Sequence, residues 1–218
     1  ISGGTYQEFE RFQQRTWTNF WPEASADKSL IYQQAAFNKA IANKSGHFTA
    51  FILPGLYDTR FDAAGNGLAL LLKRLNTDQQ QQLKKFLDGL KTELGKKLIP
   101  AFWPRITPSS ADWNLLEGNY SFDFKNAPGY FHNGGIWPVW MGLFCLGLRV
   151  NKLELEVTEI TGDFFKIVSE SATWQFDEYI NSDTLSFGGK TNMGYTASGI
   201  VFMYNALKGD SIAEKLHL

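Results

Sequence analysis

Apolar residues along the chain fall mostly at helical intervals. From Leu83 they recur at Phe86, Leu87, Leu90 and Leu94, a spacing of i, i+3, i+4, i+7 and i+11 that predicts a helix with one buried stripe. Thr77 with Gln80 reads as a capping box at its start, and Gly95 as its stop. Leu68, Leu71, Leu72 and Leu75 predict another helix just before it. The stretch 136–149 is apolar nearly all round (Ile136, Trp137, Met141, Phe144 and Leu148 among others), and a helix with no polar face is surrounded by protein. Leu153, Val157, Ile160, Phe164 and Val168 return to a one-sided stripe, and Ala197, Ile200, Val201, Tyr204 and Leu207 predict a last, largely apolar helix.

Strongly apolar helices at 64–75, 136–149 and 194–207 thus alternate with amphipathic ones at 77–94 and 151–170. Two further helices are expected over 6–20 and 30–41, and strand-like alternation is confined to 48–53 and 98–102. This order describes an all-α protein: helical hairpins around an axis, apolar helices inside and amphipathic ones outside. The inner helices are too irregularly spaced for a solenoid repeat. Between Gly95 and Ile136 run 40 residues with four prolines and little helical pattern. A connection of that length inside a compact domain is usually functional, or else conceals elements that periodicity does not reveal. Its aromatics, including Phe102, Trp103, Trp113, Tyr120 and Phe131, argue that it packs.

Composition narrows the classes. With 44% hydrophobic and 20% charged residues in 218, the chain buries a real core and is not a disordered segment. Twenty-one basic against 22 acidic side chains leave a net charge of −1, no footprint for nucleic acid. No apolar run reaches the ~18 residues of a membrane span, and no charged-then-apolar leader opens the chain. The lone Cys145 rules out an internal disulfide and fits a reducing, cytoplasmic setting. Aromatic content of 15% suits either a thick core or a cleft that stacks sugars. The chain opens on Ile1 without methionine, and a longer parent protein is expected.

Several chemistries find no support. His47, His132 and His217 lack metal-ligand spacing, so neither a metal nor a cofactor is expected. Gly65-Asn66-Gly67 has no preceding strand or third glycine for a dinucleotide site, and Ser198 is not in a nucleophile elbow. Asn43-Lys44-Ser45 and Asn119-Tyr120-Ser121 match glycosylation triplets that arise by chance. Cys145 lies in the most apolar helix and reads as a packed thiol.

Three polar clusters remain, each ahead of an apolar helix: Tyr57-Asp58-Thr59-Arg60-Phe61-Asp62, then Tyr130-Phe131-His132-Asn133-Gly134-Gly135, then Trp174-Gln175-Phe176-Asp177-Glu178-Tyr179 with Ser186-Phe187-Gly188-Gly189-Lys190. If the three helices run parallel, the clusters converge on one mouth, a site of loops on a rigid scaffold. Plainer readings stand beside this. Asp58 and Arg60 could form an ion pair capping a helix, Asn133-Gly134-Gly135 a tight turn into a helix with Pro138 in its first turn, and Glu178 a solvated surface carboxylate. A carboxylate among Trp174, Phe176 and Tyr179 is also what polarising water beside a sugar requires.

Taken in order, Asp58-Thr59-Arg60-Phe61-Asp62-Ala63-Ala64-Gly65-Asn66-Gly67-Leu68-Ala69, His132-Asn133-Gly134-Gly135-Ile136-Trp137-Pro138 and Phe176-Asp177-Glu178-Tyr179 resemble the six-hairpin glycosidases. The likeness is greatest to the neutral/alkaline invertases and the bacterial amylo-α-1,6-glucosidase-like proteins, over roughly 15–207. It implies an (α/α)6 toroid and inverting hydrolysis by two carboxylates about 6.5–9.5 Å apart, with water between. By the resemblance Glu178 is the general base; His132, Asn133 and Trp137 form a sugar-contacting loop; and Asp58 and Arg60 are a rim pair touching substrate, while Lys190 of the third cluster is a further candidate substrate contact. Two departures stand out. The invertases carry Trp-Pro-Glu-Tyr where this chain has Trp174-Gln175-Phe176-Asp177-Glu178, and a tryptophan where it has Tyr195. α-Glucans therefore stand beside sucrose as candidate substrates.

Twelve helices with their loops need well over about 300 residues at ordinary helix lengths. The whole of 1–218 is accordingly read as one domain, the C-terminal half of such a catalytic domain, with the family's general acid upstream. The expected partners are a carbohydrate and either the missing half or a second copy on the open side; nucleic acid and membrane are not expected. Inner helices such as 136–149 should expose apolar surface on that side. The main alternative is a half-barrel that binds carbohydrate, or is purely structural, without hydrolysis; a weaker one is an aromatic groove for a polypeptide.

Overall fold

The computed structural model describes residues 5–119 and 122–209. His217, Tyr120 and Ser121 lie outside them. Eight α-helices follow one another among these residues: α1 (Tyr6–Phe20), α2 (Gln34–Asn43), α3 (Ala63–Leu72), α4 (Thr77–Leu94), α5 (Trp113–Gly118), α6 (Pro138–Val150), α7 (Glu154–Ser169) and α8 (Gly194–Lys208). Six short strands form three antiparallel pairs: β1 (Phe51–Leu53) with β2 (Leu56–Asp58), β3 (Phe61–Asp62) with β4 (Phe102–Trp103), and β5 (Tyr179–Ile180) with β6 (Phe187–Gly188). The protein is all-α, with three inner helices, α3, α6 and α8, of the kind that line a helical toroid.

Helix α6 is the middle of the three. Met141, Phe144, Cys145 and Leu148 are fully buried, and it packs α3 on one flank and α8 on the other. Glycines let the backbones meet. A Cβ on Gly142 would strike the Gly199 carbonyl, one on Gly199 the Pro138 carbonyl, and one on Gly147 the side chain of Leu70. The outer helices α4 and α7 cover this layer with Leu83, Leu87 and Leu90 and with Val157, Ile160 and Phe164. Between α4 and α7 the buried Lys97 ammonium reaches Glu156, Glu159 (2.6 Å) and Asp88 (3.0 Å). His47 is wedged against Phe61 and Phe86, and burial pushes its pKa down to about 4 although its Nδ1 meets the Phe48 carbonyl. Burial likewise drives the Cys145 thiol up, and it stays protonated.

Several boundaries differ from the sequence reading. The capping box of α4 is Asn76 with Gln79, one residue before Thr77 and Gln80, because the run of glutamines offers a partner in either register. Pro138 takes the first turn of α6, so the helix begins two residues after Ile136. Leu75 lies beyond α3 but still reaches the core. The connection after Gly95 is anchored by β4 and contains the unforeseen α5. The exposed apolar surface is not on α6. Among the inner helices it lies on the flanking pair, at Leu68 and Leu72 of α3 and at Val201, Tyr204 and Leu207 of α8, and outside them α1 exposes Tyr6, Phe9 and Phe12.

Candidate active site at the N-terminal rim of the inner helices

Backbone hydrogen bonds stitch the segments entering the inner helices side by side. Ala63 N–H, at the start of α3, donates to Ala101 O (2.9 Å), and Ala101 N–H donates to Gly135 O (2.8 Å). Ile136, just before α6, exchanges two bonds with Ile180 of β5 (2.8 and 2.9 Å). Residues 175–178 in turn pair with 190–193 at the mouth of α8 through Glu178 N–H to Lys190 O, Asn192 N–H to Gln175 O and Met193 N–H to Phe176 O. The three polar clusters, far apart in the chain, therefore share one rim.

Alternation along 177–178 gives the two carboxylates different fates. Asp177 is buried and accepts from the Gln175 N–H (2.9 Å), while its carbonyl accepts from the Thr196 hydroxyl (3.0 Å). Glu178 is half-buried and turns the other way. Its Oε1 accepts from the Tyr195 hydroxyl at 2.6 Å and its Oε2 from the Lys190 N–H at 3.2 Å. Gly189, at φ +80°, leaves the space this carboxylate occupies; a Cβ there would overlap it. Trp174 packs on Phe164 and Phe187 and so serves the scaffold of the loop, while Phe176, against its other side, is exposed. The partners of Glu178 are Tyr195 and the turn at Gly189.

Trp137, buried at the start of α6, is the hub of an aromatic stack. Its Nε1–H donates to Phe131 O (2.9 Å). His132 lies flat on it, with centroids 4.6 Å apart and planes within 6°; Tyr179 and Tyr195 stack at 5.9 and 6.0 Å. Glu178, Tyr195, Trp137 and His132 form one continuous chain of contacts. The imidazole is open to solvent on part of its surface, yet the protein around it lowers its pKa; the charges of Glu178 and Asp62 oppose that shift. Burial raises the pKa of Asp62, against the Gly65 N–H at 2.6 Å and the nearby His132.

Beside His132 lies a cavity of about 310 Å³, walled by Asp62, Phe102, Asn126, Asn133 and Trp140. Asn133 is buried and fully engaged: its amide donates to Ile106 O and Asn126 O and accepts from the Ile106 N–H, bracing the loop that carries His132. Asp58 is buried, and both its oxygens accept from Arg60. Arg60 also reaches Asp112 (2.6 Å) and covers the Phe102 ring at 4.8 Å, which links the pair to the cavity wall. The Lys190 side chain is exposed at the rim. Among the described residues no group of three His, Cys, Asp or Glu could hold a metal ion, and no helix is long and apolar enough to cross a membrane.

Sequence reasoning passed over Asp62 and missed the role of Tyr195. Asp62 had a signal, as an N-cap residue immediately before an apolar helix. Tyr195 had only its place in the first turn of the last inner helix. Inner helices flanked by outer ones, with three polar loops gathered at one end, make an arrangement of the six-hairpin type.

Solved structures agree at the level of fold. The GH63 mannosylglycerate hydrolase from Thermus thermophilus in complex with glucose matches with a TM-score of 0.53 and 13% identity, over 78% of this chain and 38% of that one. The same hydrolase in complex with Tris gives 0.54, covering 36% of its length. The chain belongs to the alkaline and neutral invertase family, whose model matches residues 7–207. Alkaline/neutral invertase C, mitochondrial, of Arabidopsis thaliana is 25% identical over 157 residues, 71% of this chain and 22% of that protein. Probable alkaline/neutral invertase A, chloroplastic, of the same plant is 26% identical over 79% of this chain and 26% of its own length. Neutral/alkaline invertase 3, chloroplastic, of Oryza sativa subsp. japonica is 23% identical over 71% and 24%. The chain spans about a quarter of the length of these curated relatives.

Proposed function

We propose that residues 1–218 are one domain, the C-terminal half of an (α/α)6 glycoside hydrolase, and supply the general-base side of an inverting site for sucrose or α-glucan-type sugars. The observation that supports this is the Glu178 carboxylate, held by the Tyr195 hydroxyl at 2.6 Å on the rim it shares with His132. In this reading Glu178 takes a proton from water as the water oxygen bonds to the anomeric carbon. The glycosidic C–O bond breaks, and its oxygen takes a proton from an acid outside these residues. His132 and the exposed Lys190 contact the sugar directly. Asn133 and Trp137 set the loop that presents His132, and Asp58 with Arg60 supports the Phe102 wall. A cytoplasmic setting accords with the single buried Cys145.

The experiment is a hydrolysis screen of the full-length protein against sucrose, maltose and a branched α-glucan, with the first-formed anomer read by NMR. Release of the inverted anomer is expected. A retained anomer removes the mechanism, and binding without any turnover turns the chain into a non-catalytic carbohydrate-binding half-barrel.

The exposed Leu68, Leu72, Val201, Tyr204 and Leu207 on α3 and α8 are covered, in this proposal, by helices from outside these 218 residues or by a second copy. The isolated 218-residue chain is therefore expected to self-associate in light scattering. A monodisperse monomer over a hundredfold concentration range would remove this part of the proposal.

A further inference from the structure

The hydroxyl of Tyr195 has a geometry that packing alone does not require. It points at Glu178 Oε1 from the first turn of α8, at 2.6 Å, while the Lys190 N–H, just past β6, holds Oε2 at 3.2 Å. The ring is stacked on Trp137 within 19° of parallel, and Trp137 is itself pinned by its bond to Phe131 O. Gly189 closes the remaining side, where even a methyl group would overlap the carboxylate. A carboxylate has about four lone-pair positions; two donors leave about two for water and substrate.

We propose that Tyr195 is a positioning residue for Glu178: its hydroxyl and the Lys190 N–H grip one oxygen each and fix the carboxylate in the orientation from which it accepts a proton from water. The inference rests on the reading of Glu178 as the general base. A short bond to a charged acceptor is stronger than a neutral one and disfavours rotation about the side chain's last torsion. The donor is durable as well, because burial and the neighbouring carboxylate both keep the phenol protonated far above neutral pH. Stacking on Trp137 couples the grip to the His132 loop, so a single rigid unit spans the rim.

Tyr195→Phe in the full-length protein keeps the stacked ring and deletes the donor. Its kcat is expected to fall about 10–100-fold, the equivalent of one hydrogen bond to a charged group. KM should stay within about threefold, since Tyr195 does not itself hold substrate. Installing 4-aminophenylalanine at 195 returns a donor and should restore part of kcat. A second readout is independent of turnover. With 3-fluorotyrosine incorporated, the fluorine signal of residue 195 should titrate at higher pH than exposed tyrosines, and Glu178→Gln should bring that titration down.

An unchanged kcat in Tyr195→Phe overturns the positioning role; if Glu178→Gln is inactive in the same assay, the base assignment survives that failure. A rise in KM with kcat intact also overturns it, and makes Tyr195 a substrate contact. Full turnover in Glu178→Gln overturns both, and the fluorine titration then reports whether the hydrogen bond itself exists.

Discussion

Replacing Glu178 by glutamine in the full-length protein is expected to lower kcat by about 10²–10⁴-fold, the range for losing a positioned general base. The change is nearly isosteric, and the surroundings can accept it. The amide oxygen can take the Lys190 N–H, and the amide NH₂ can turn to Tyr195, whose hydroxyl rotates from donor to acceptor. The rim and the His132 stack stay in place, and what is lost is the ability to receive a proton. Sugar affinity measured by calorimetry should therefore hold within about threefold while turnover collapses, the pattern of an interaction made in the transition state. Turnover within about threefold of the unsubstituted protein would remove Glu178 from the base role.

The largest effect on stability is expected from Gly199→Ala. The new Cβ would meet the Pro138 carbonyl and, at 2.6 Å, the Val139 nitrogen, both backbone atoms of α6. No side chain can rotate to relieve that contact, so α8 and α6 must separate. Overpacking a core costs about 1–3 kcal/mol when side chains can adjust, and this case is expected at or above the upper end. The separation also draws Tyr195, one turn earlier on α8, away from Trp137 at the start of α6, so the site loosens together with the core. Gly162→Ala is the control. That glycine is exposed on α7 with nothing within 4 Å of the added methyl, and replacing it should stabilise the fold by about 0.5–1 kcal/mol. Urea unfolding of both variants checks the pair. A loss below about 1 kcal/mol in Gly199→Ala would show that the helices yield more easily than their backbone contact implies.

Glycine shows how far a linear reading reaches. Gly142, Gly147 and Gly199 sit inside apolar helices, where the sequence presents them only as weak helix formers. Their use becomes visible when α3, α6 and α8 lie together, because it depends on the neighbour's atoms and not on the glycine's own helix. Trp174 and Phe176 illustrate a second limit. Spacing of two residues would put Trp174, Phe176 and Glu178 on one face of an extended strand, yet Phe176 takes a left-handed backbone at φ +55°, which breaks that alternation. The loop uses Trp174 for the core, and Tyr195, seventeen residues beyond Glu178, is the group that reaches the carboxylate.

Periodicity was sufficient for the inner and outer helices, since burying one stripe or all faces is a property each segment carries alone. The order of the three polar clusters, and their likeness to the six-hairpin glycosidases, was equally plain in the chain. Which atoms those clusters would present was another matter. Asp58 meets Arg60, Asn133 braces its own loop and Trp137 carries a ring stack, while Asp62 lines the cavity and Tyr195 bonds to Glu178. Hydrogen-bond partners and close backbone approaches are relations between segments distant in the chain. They come into being only when the backbone ladder from Ala63 through Ala101 and Gly135 to Ile180 draws the rim together.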